Sequence, residues 1–320
     1  MEKVNRTLVT EFVFLRFSNS PHLQVLFFSL FLLVYLLSLV GNALIVLLVA
    51  LDGHLHTSMY FFICNLSLVE LWYTTVTVPK MLANFLSAQG VISVPSCITQ
   101  YYFFLSMAAT ELFILTTMAF DRYAAICRPL HYPLLFSPQT CATLAGICWF
   151  VGFLCPMFSS FLLAQISFCT PNQINHFCDA DQILRLSCTD TYVIQAVGYA
   201  FSIASILGAI AFTMASYAQI LATILAMALA AAQRKAFSTC IAHLSVVTIY
   251  FGILIFMYVH PAVKYESNIN KIVDIFYSVI TPLLNPLIYT LCHKDVKESL
   301  KVIPSIGQLF LGGKKWIISH

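Results

Sequence analysis

The sequence predicts an all-α membrane protein, a seven-transmembrane-helix bundle with a short amphipathic inner-surface helix after the seventh span. Two observations predict this fold class. Of the 320 residues, 60% are hydrophobic and only 9% are charged, whereas soluble domains carry about 25% charged residues. The apolar residues also form seven runs, each long enough to cross a bilayer as a helix of about 20 residues.

The connections between the predicted spans are short, so no soluble domain fits between them. Only the connection between the fourth and fifth spans is long, at roughly 165–190. By composition the chain divides into an extracellular N-terminal segment (1–22), a transmembrane domain (23–292), and a cytoplasmic helix and tail (293–320). The spans are expected at 23–51, 58–83, 97–127, 140–164, 191–230, 236–261 and 268–292.

Orientation is predicted from the N-terminal segment. Asn5 begins the sequon Asn5-Arg6-Thr7, and glycosylation there would place the N-terminus outside the cell. The segment lacks the pattern of a cleaved signal peptide, so the first apolar run is expected to direct insertion. Seven spans then place the C-terminus in the cytoplasm, in agreement with a weak inner excess of Lys and Arg. We expect a multi-pass plasma-membrane protein.

Charge and motif content exclude two functional classes. The net charge is +3 without a Lys/Arg-rich tract, so no nucleic-acid partner is expected. The spans contain no evident metal cluster or nucleophile–base pair, so enzymatic activity is not expected. Membrane lipid is the partner expected around the predicted spans.

The segment after the seventh span has an amphipathic pattern. Val296, Leu300 and Ile303 share one helical face, and Lys297 and Glu298 lie elsewhere. This pattern favours a helix on the inner membrane surface. A frayed basic tail is the alternative.

Four cysteines fall on the predicted outer side. Cys97 opens the third span, and Cys169, Cys178 and Cys188 lie in the long outer connection. Disulfides persist on the oxidising face of a membrane, so two bridges are expected. Three pairings are possible from the residues alone.

A polar layer is predicted near the middle of the membrane. At about 1.5 Å of rise per residue, Glu70 and Glu111 each lie roughly 16 Å from the inner end of their span, and Asn42 reaches the same depth. Two buried carboxylates at one depth cannot both be charged and unpaired. They are expected to share a proton or a small cation such as sodium. Two separately hydrogen-bonded neutral acids are the alternative.

Asn285 is a further candidate for this layer. It precedes Pro286, which removes a backbone donor and kinks the seventh helix. A neighbouring side chain or a water molecule must then satisfy the freed carbonyl. Kinked helices that meet at a polar layer can have two packings of similar energy.

The adjacent Asp121 and Arg122 end the third apolar run. Charges at this position are costly and usually functional. We expect a pairing that holds one state of the molecule and breaks in another. Arg122 snorkelling to lipid headgroups is the alternative.

Six stretches, in the right order and spans, together resemble the odorant receptors, a branch of the rhodopsin-like G-protein-coupled receptors. They are Gly41-Asn42, Leu55-His56-Thr57-Ser58-Met59-Tyr60, Met118 to Cys127, Ser216-Tyr217, Lys235 to Cys240, and Pro282 to Tyr289. The long outer connection with its cysteines fits the same family.

The resemblance implies a non-enzymatic receptor. A small volatile odorant would bind in the outer half of the bundle, and a stimulatory, olfactory-type heterotrimeric G protein would be activated at the inner mouth, raising cAMP. It implies the disulfides Cys97–Cys178 and Cys169–Cys188. It also implies a sodium ion bound by Glu70 and Glu111, and no cofactor is expected. The implied G-protein switch residues are Asp121, Arg122, Tyr123, Tyr217, Asn285, Pro286 and Tyr289.

The ligand set implied by the resemblance is mostly apolar with a few hydroxyls. It suits a small neutral molecule, and the outer half of the third span has no acidic residue to anchor an amine. The set comprises Phe104, Leu105, Ala108, Ala109, Phe201, Ser202, Ser205, Phe251, Leu254, Ile255 and Tyr258. The rivals are a rhodopsin-like receptor used outside the nose and an ion or proton transporter using Glu70 and Glu111, although no inverted repeat is evident.

The sequence departs from the family pattern at several places, among them position 58, the outer loop and the third inner loop. Ser58 stands where the family usually has proline. The outer loop at His176 is one aromatic residue shorter than usual, so a metal-binding role for this histidine is not carried over. The third inner loop, Ala226 to Gln233, is alanine-rich, which favours a longer fifth helix.

Overall fold

Long helices dominate the structure, a computed structural model that describes residues 9–15, 20–87, 90–170, 172–174, 178–259, 280–292 and 295–300. The predictions for Asn5, His176, residues 268–279 and residues beyond 300 concern parts of the chain outside these ranges. The helices are α1 Pro21–Leu51, α2 Ser58–Leu86, α3 Val94–Cys127, α4 Tyr132–Leu135, α5 Pro138–Ala164, α6 Ala180–Arg185, α7 Tyr192–Ala226, α8 Ala230–Val259, α9 Thr281–Cys292 and α10 at residues 295–300.

The predicted fold class is confirmed. Within the described ranges, five helices are long and apolar enough to cross a membrane, namely α1, α2, α3, α5 and α7. Helix α8 contains a shorter apolar stretch, Cys240–Ile255, and α9 corresponds to the inner end of the seventh predicted span. Many leucine and phenylalanine side chains are exposed on these helices, as expected where lipid replaces water.

Helix starts follow local sequence signals. Pro21, Pro95 and Pro138 lie in the first turns of α1, α3 and α5, where proline lacks only an N–H that no helical carbonyl would accept. The Ser93 hydroxyl accepts from the Ser96 N–H, and the Ser137 hydroxyl caps α5 in the same way.

The predicted boundary between the fifth and sixth spans is wrong. Helix α7 ends at Ala226, and the alanines that favoured a longer fifth helix instead begin α8 at Ala230. The Met227 N–H donates to the Ile224 carbonyl, and the Gln233 side chain donates to the Met227 carbonyl at 2.9 Å. These bonds satisfy backbone groups at the turn, so the helical propensity of the alanines is not sufficient to extend α7 beyond Ala226.

Helix α3 is the central helix, in contact with α2, α5, α7 and α8. Met107, Ile114 and Leu115 are fully buried along it. At Gly152 of α5 an added Cβ would lie 2.0 Å from the Thr110 hydroxyl oxygen. The close approach of α5 to α3 therefore requires glycine.

A small sheet covers the outer end of the bundle, a feature that the sequence did not predict. Strand β1 (Glu11–Phe14) lies between β2 (Gly90–Ser93), to which it is antiparallel, and β3 (Gln173–Ile174), to which it is parallel. Phe12 and Phe14 of β1 are buried in an apolar cluster with residues of the outer connection. We call the sheet, this cluster and α6 the outer cap.

Two disulfides tie the outer cap together. Cys97 at the start of α3 is bonded to Cys178, and Cys169 is bonded to Cys188. These are the two pairs that the resemblance implies. The first bond fixes the outer connection directly above α3.

Helix α10 packs against the inner ends of α1 and α2. Val296 is buried while Lys297 and Glu298 are exposed, so the predicted amphipathic pattern holds in the described residues. Ser299 donates to Asp52 at 2.5 Å, and Tyr60 donates to Asp295 at 2.9 Å. The Ser299 hydroxyl holds the pKa of the Asp52 carboxyl below its usual range.

A candidate ligand cavity and inner switch

A cavity of about 390 Å³ lies in the outer half of the bundle, between α3, α5 and α7. Helix α6 of the outer cap lies above it, and Tyr250 and Leu254 of α8 contribute to its wall. The volume lies within the range of small-molecule sites. The walls are mostly apolar, as expected for a site that selects by shape.

Most of the predicted ligand residues line this cavity. Three do not belong to the observed lining in the described residues. Phe251 is buried and packs edge-on against Tyr250, Ile255 is 42% exposed, and the Tyr258 side chain lies outside the description. Those that line it are Phe104, Leu105, Ala108, Ala109, Phe201, Ser202, Ser205 and Leu254.

The sequence missed one wall and the polar rim of the cavity. Helix α5 contributes the wall through Cys155, Phe158 and Ser159, among others. Gln182 and Arg185 of α6 contribute to the rim together with polar residues of α7. The sequence signal for α6 was the apolar pair Ile183 and Leu184, which is buried in the outer cap. Burial of this pair places the flanking Gln182 and Arg185 at the cavity.

One hydrogen bond connects the cavity wall to the sixth span. The Tyr250 hydroxyl donates to the Ala108 carbonyl at 2.7 Å, and Tyr250 is 1% exposed. A ligand that contacts Ala108 or Leu254 therefore lies directly against the contact between α3 and α8.

The predicted polar layer is present below the cavity. Glu70, Glu111 and Asn285 are all buried. The Asn285 amide donates to the Glu70 carboxyl and, at 3.5 Å, to the Glu111 carboxyl. The Asn285 amide thus bridges two buried carboxyl groups, and such a pair is costly unless it shares a proton or a cation.

Asn42 donates a hydrogen bond at the kink of the seventh span rather than to the carboxyl pair. Its amide donates to the Pro282 carbonyl at 3.0 Å and to the Ser38 carbonyl. Pro282 is four residues before Pro286, so its carbonyl is the one whose helical partner the proline removes. The predicted need for a side-chain donor is thus met by α1. Gly41 beside it allows the approach, since an added Cβ would lie 3.3 Å from the Pro286 ring.

Asp121 and Arg122 form the core of a closed network at the inner end of α3. The Asp121 Oδ2 accepts from Arg122, with Nε at 2.9 Å. Its Oδ1 accepts from the Ser58 hydroxyl at 2.6 Å and from the Tyr132 hydroxyl at 2.9 Å, and the two hydroxyl oxygens lie next to each other. Burial raises the pKa of Tyr132 to about 12, so its hydroxyl stays protonated. Asp121 is only 1% exposed. Its buried charge is balanced by Arg122 and accepts hydrogen bonds from the two hydroxyls.

The other predicted switch residues occupy separate contacts. The Tyr217 hydroxyl lies 2.5 Å from the His243 Nδ1, linking α7 to α8. Tyr123 accepts from Arg128 at 3.3 Å on the inner side. Tyr289 is buried at 1% exposure in α9. The structure therefore brings Asp121 and Arg122 together but leaves Tyr123 outside their network.

Comparison with known sequences decides the family. A sequence model described as olfactory receptor matches residues 31–305. The human protein named Olfactory receptor 6Q1 is 49% identical over 306 residues, covering 95% of this chain and 96% of that protein.

The chain belongs to the olfactory receptor family.

Other relatives agree across species. Human Olfactory receptor 6Y1 is 46% identical over 302 residues, which is 94% of this chain and 93% of that one. Mouse Olfactory receptor 5AR1 is 43% identical over 302 residues, covering 94% and 97%. Olfactory receptors are G-protein-coupled receptors rather than enzymes, and this one is a multi-pass membrane protein. The matched range includes the cavity, the polar layer and the Asp121 network.

Proposed function

We propose that this olfactory receptor binds a small, mostly apolar odorant in the cavity and activates a stimulatory, olfactory-type heterotrimeric G protein, raising cAMP. Its N-terminus is extracellular and its C-terminus cytoplasmic. The observation that carries the proposal is that α3 contributes both Ala108 in the cavity and Arg122 in the inner network. These residues are separated by roughly 21 Å of helix.

The lining supports a neutral ligand. Phe104, Leu105 and Ala109 of α3 face the cavity without an acidic neighbour on α3, and the charged residues of the lining, Asp179 and Arg185, lie at the two ends of α6. The Ser205 hydroxyl donates to the Phe201 carbonyl in its own helix, so Ser202 is the better candidate for a hydrogen bond to ligand. A ligand with one polar atom and an apolar body matches this set.

Activation follows from the contacts that bridge α3 and α8. A ligand against Ala108 and Leu254 favours a packing in which α8 moves relative to α3, because it contacts both sides of the Tyr250 bond. Movement of α8 would break the Tyr217–His243 contact at the inner end. Arg122 is then released from Asp121 to form part of the G-protein surface. A ligand shifts this equilibrium only by its differential affinity for the two packings.

The cAMP response of cells tests the function. Cells with verified surface receptor, challenged with a broad odorant panel, should show a rise in cAMP for at least one odorant. Arg122→Ala should abolish that rise at equal surface delivery. A complete lack of response in surface-verified cells would count against the proposal, and ion flux without G protein would favour the transporter instead.

We further propose that the Glu70–Glu111 pair holds a sodium ion in place of its shared proton. Carboxylate oxygens suit a hard cation, and buried acids in a membrane are costly unless they are paired. Thermal unfolding of purified receptor should then occur at higher temperature in sodium chloride than in choline chloride. Glu111→Gln should remove that difference. An equal midpoint in both salts for the unaltered receptor would refute sodium binding.

A further inference from the structure

The roof of the cavity is closed by apolar packing. Tyr101, Leu163 and Leu184 line the cavity and also belong to the buried cluster of the outer cap. Phe12 and Ile183 of that cluster are completely buried. Straight access from the outer water along the bundle axis is therefore blocked by the described residues.

The cavity opens instead at two places, at the polar corner of Gln182 and the exposed Arg185 and on the side between α5 and α7. Phe158 of α5 and Val197 and Phe201 of α7 line the cavity, yet they are 61%, 50% and 54% exposed. Cavity-lining side chains on both helices are therefore also exposed, as at an opening between α5 and α7. Phe158 and Phe201 lie roughly 9 Å and 14 Å inward from the outer ends of their helices. At that depth the exposed surface faces lipid tails.

Gly198 marks the gap from the α7 side. It lines the cavity, and an added Cβ would have no heavy atom of a neighbouring element within 4 Å. Helices α5 and α7 contact each other only sparsely, in contrast to α5 and α3, where Gly152 is tightly packed against Thr110. The gap thus results from missing packing between α5 and α7.

We propose that ligands enter this receptor sideways from the outer leaflet of the bilayer, through a portal formed by Phe158, Val197, Gly198 and Phe201. The inference rests on the proposed function, which identifies the ligand of this cavity as an odorant. The aqueous alternative is a route beside Gln182 and Arg185, at the corner between α6 and α7. The portal is lined by apolar groups, so it admits neutral lipophilic molecules and disfavours charged ones, which would lose their hydration without a partner.

The proposal identifies a class of ligand. Molecules that partition strongly into the membrane are concentrated at the portal, so they enter the cavity faster than hydrophilic molecules at the same aqueous concentration. Hydrophilic molecules of the same size reach the cavity only by the aqueous corner. The ligands of this receptor are therefore expected among lipophilic neutral compounds.

Cys155 offers a native reporter, because it is a free cysteine that lines the cavity. Full-length receptor in phosphatidylcholine vesicles is treated either with N-dodecylmaleimide, which partitions into the bilayer, or with a sulfonated maleimide in the outer water. Modification of Cys155 is followed by peptide mass spectrometry. The dodecyl reagent should modify Cys155 faster, and Gly198→Trp should slow it by about tenfold by filling the portal.

The matched control is Gly208→Trp. Gly208 is also on α7 with open space at its Cβ position, and it does not line the cavity, so its tryptophan should leave the rate unchanged. Gly198→Leu, a milder change, should slow the reaction in the same direction as Gly198→Trp. Faster modification by the sulfonated reagent, or a dodecyl rate that neither Gly198 variant lowers, would overturn the portal. The assay uses no odorant and no G protein, so failure of the proposed function would leave it interpretable.

Discussion

At the residue scale, the structure gives Ser58 a role that the sequence did not predict. The sequence predicted the Asp121–Arg122 pairing because two opposite charges ended an apolar run. It did not predict that Ser58 and Tyr132 donate to the other carboxylate oxygen, because these residues are 63 and 11 positions from Asp121 in the chain. A proline at position 58 would have no side-chain donor. Ser58 therefore adds a restraint on the closed switch.

Removing the Ser58 hydroxyl should raise the activity of the unliganded receptor. A hydrogen bond to a charged group contributes about 1.5 kcal/mol or more, which corresponds to a roughly tenfold shift of the closed–open equilibrium. Ser58→Ala should accordingly raise basal cAMP at equal surface delivery. Ser58→Thr keeps the hydroxyl and should behave like the unaltered receptor. If the alanine and threonine variants had the same basal cAMP, the hydroxyl would have no part in the switch.

At the element scale, span prediction succeeded where the signal was local. The ends of α1 and α3 lie within three residues of the expected boundaries because apolar length and capping residues determine them. The three strands were missed since they are two to four residues long, and their pairings join segments about 80 and about 160 residues apart. The α5 wall of the cavity was missed because the facing side of an almost entirely apolar helix is set by its neighbours.

The contact between α3 and α5 provides a stability test at the element scale. Gly152→Ala places a methyl group against Thr110 and should destabilise the receptor by about 1–3 kcal/mol through overpacking. Gly146→Ala on the same helix meets open space and should be neutral or stabilising by up to about 1 kcal/mol, because alanine favours helix. Thermal unfolding of the purified variants measures the difference. Equal midpoints for the two variants would show that α5 does not pack on α3 as described.

At the scale of the whole molecule, α3 joins three functional layers. Its outer end is bonded through Cys97 to the outer cap, Ala108 and Ala109 line the cavity, Glu111 belongs to the polar layer, and Arg122 lies at the inner mouth. Depth along this helix was predictable from residue spacing alone. The cavity's shape and its opening toward lipid were not, because they depend on which faces of α5 and α7 remain apart.

The most direct test of the account is whether an odorant in the cavity opens the inner mouth. Cys240, buried at the inner end of α8 beside Tyr217, reports on that opening. Its labelling by a charged maleimide is measured in inside-out membranes, with and without an odorant that raises cAMP. The odorant should speed labelling in the unaltered receptor and in the lipid-facing control Ala211→Phe, but not in Ala109→Phe, which fills the cavity. A rise in cAMP without any change in Cys240 labelling, or an undiminished odorant effect in Ala109→Phe, would contradict the account.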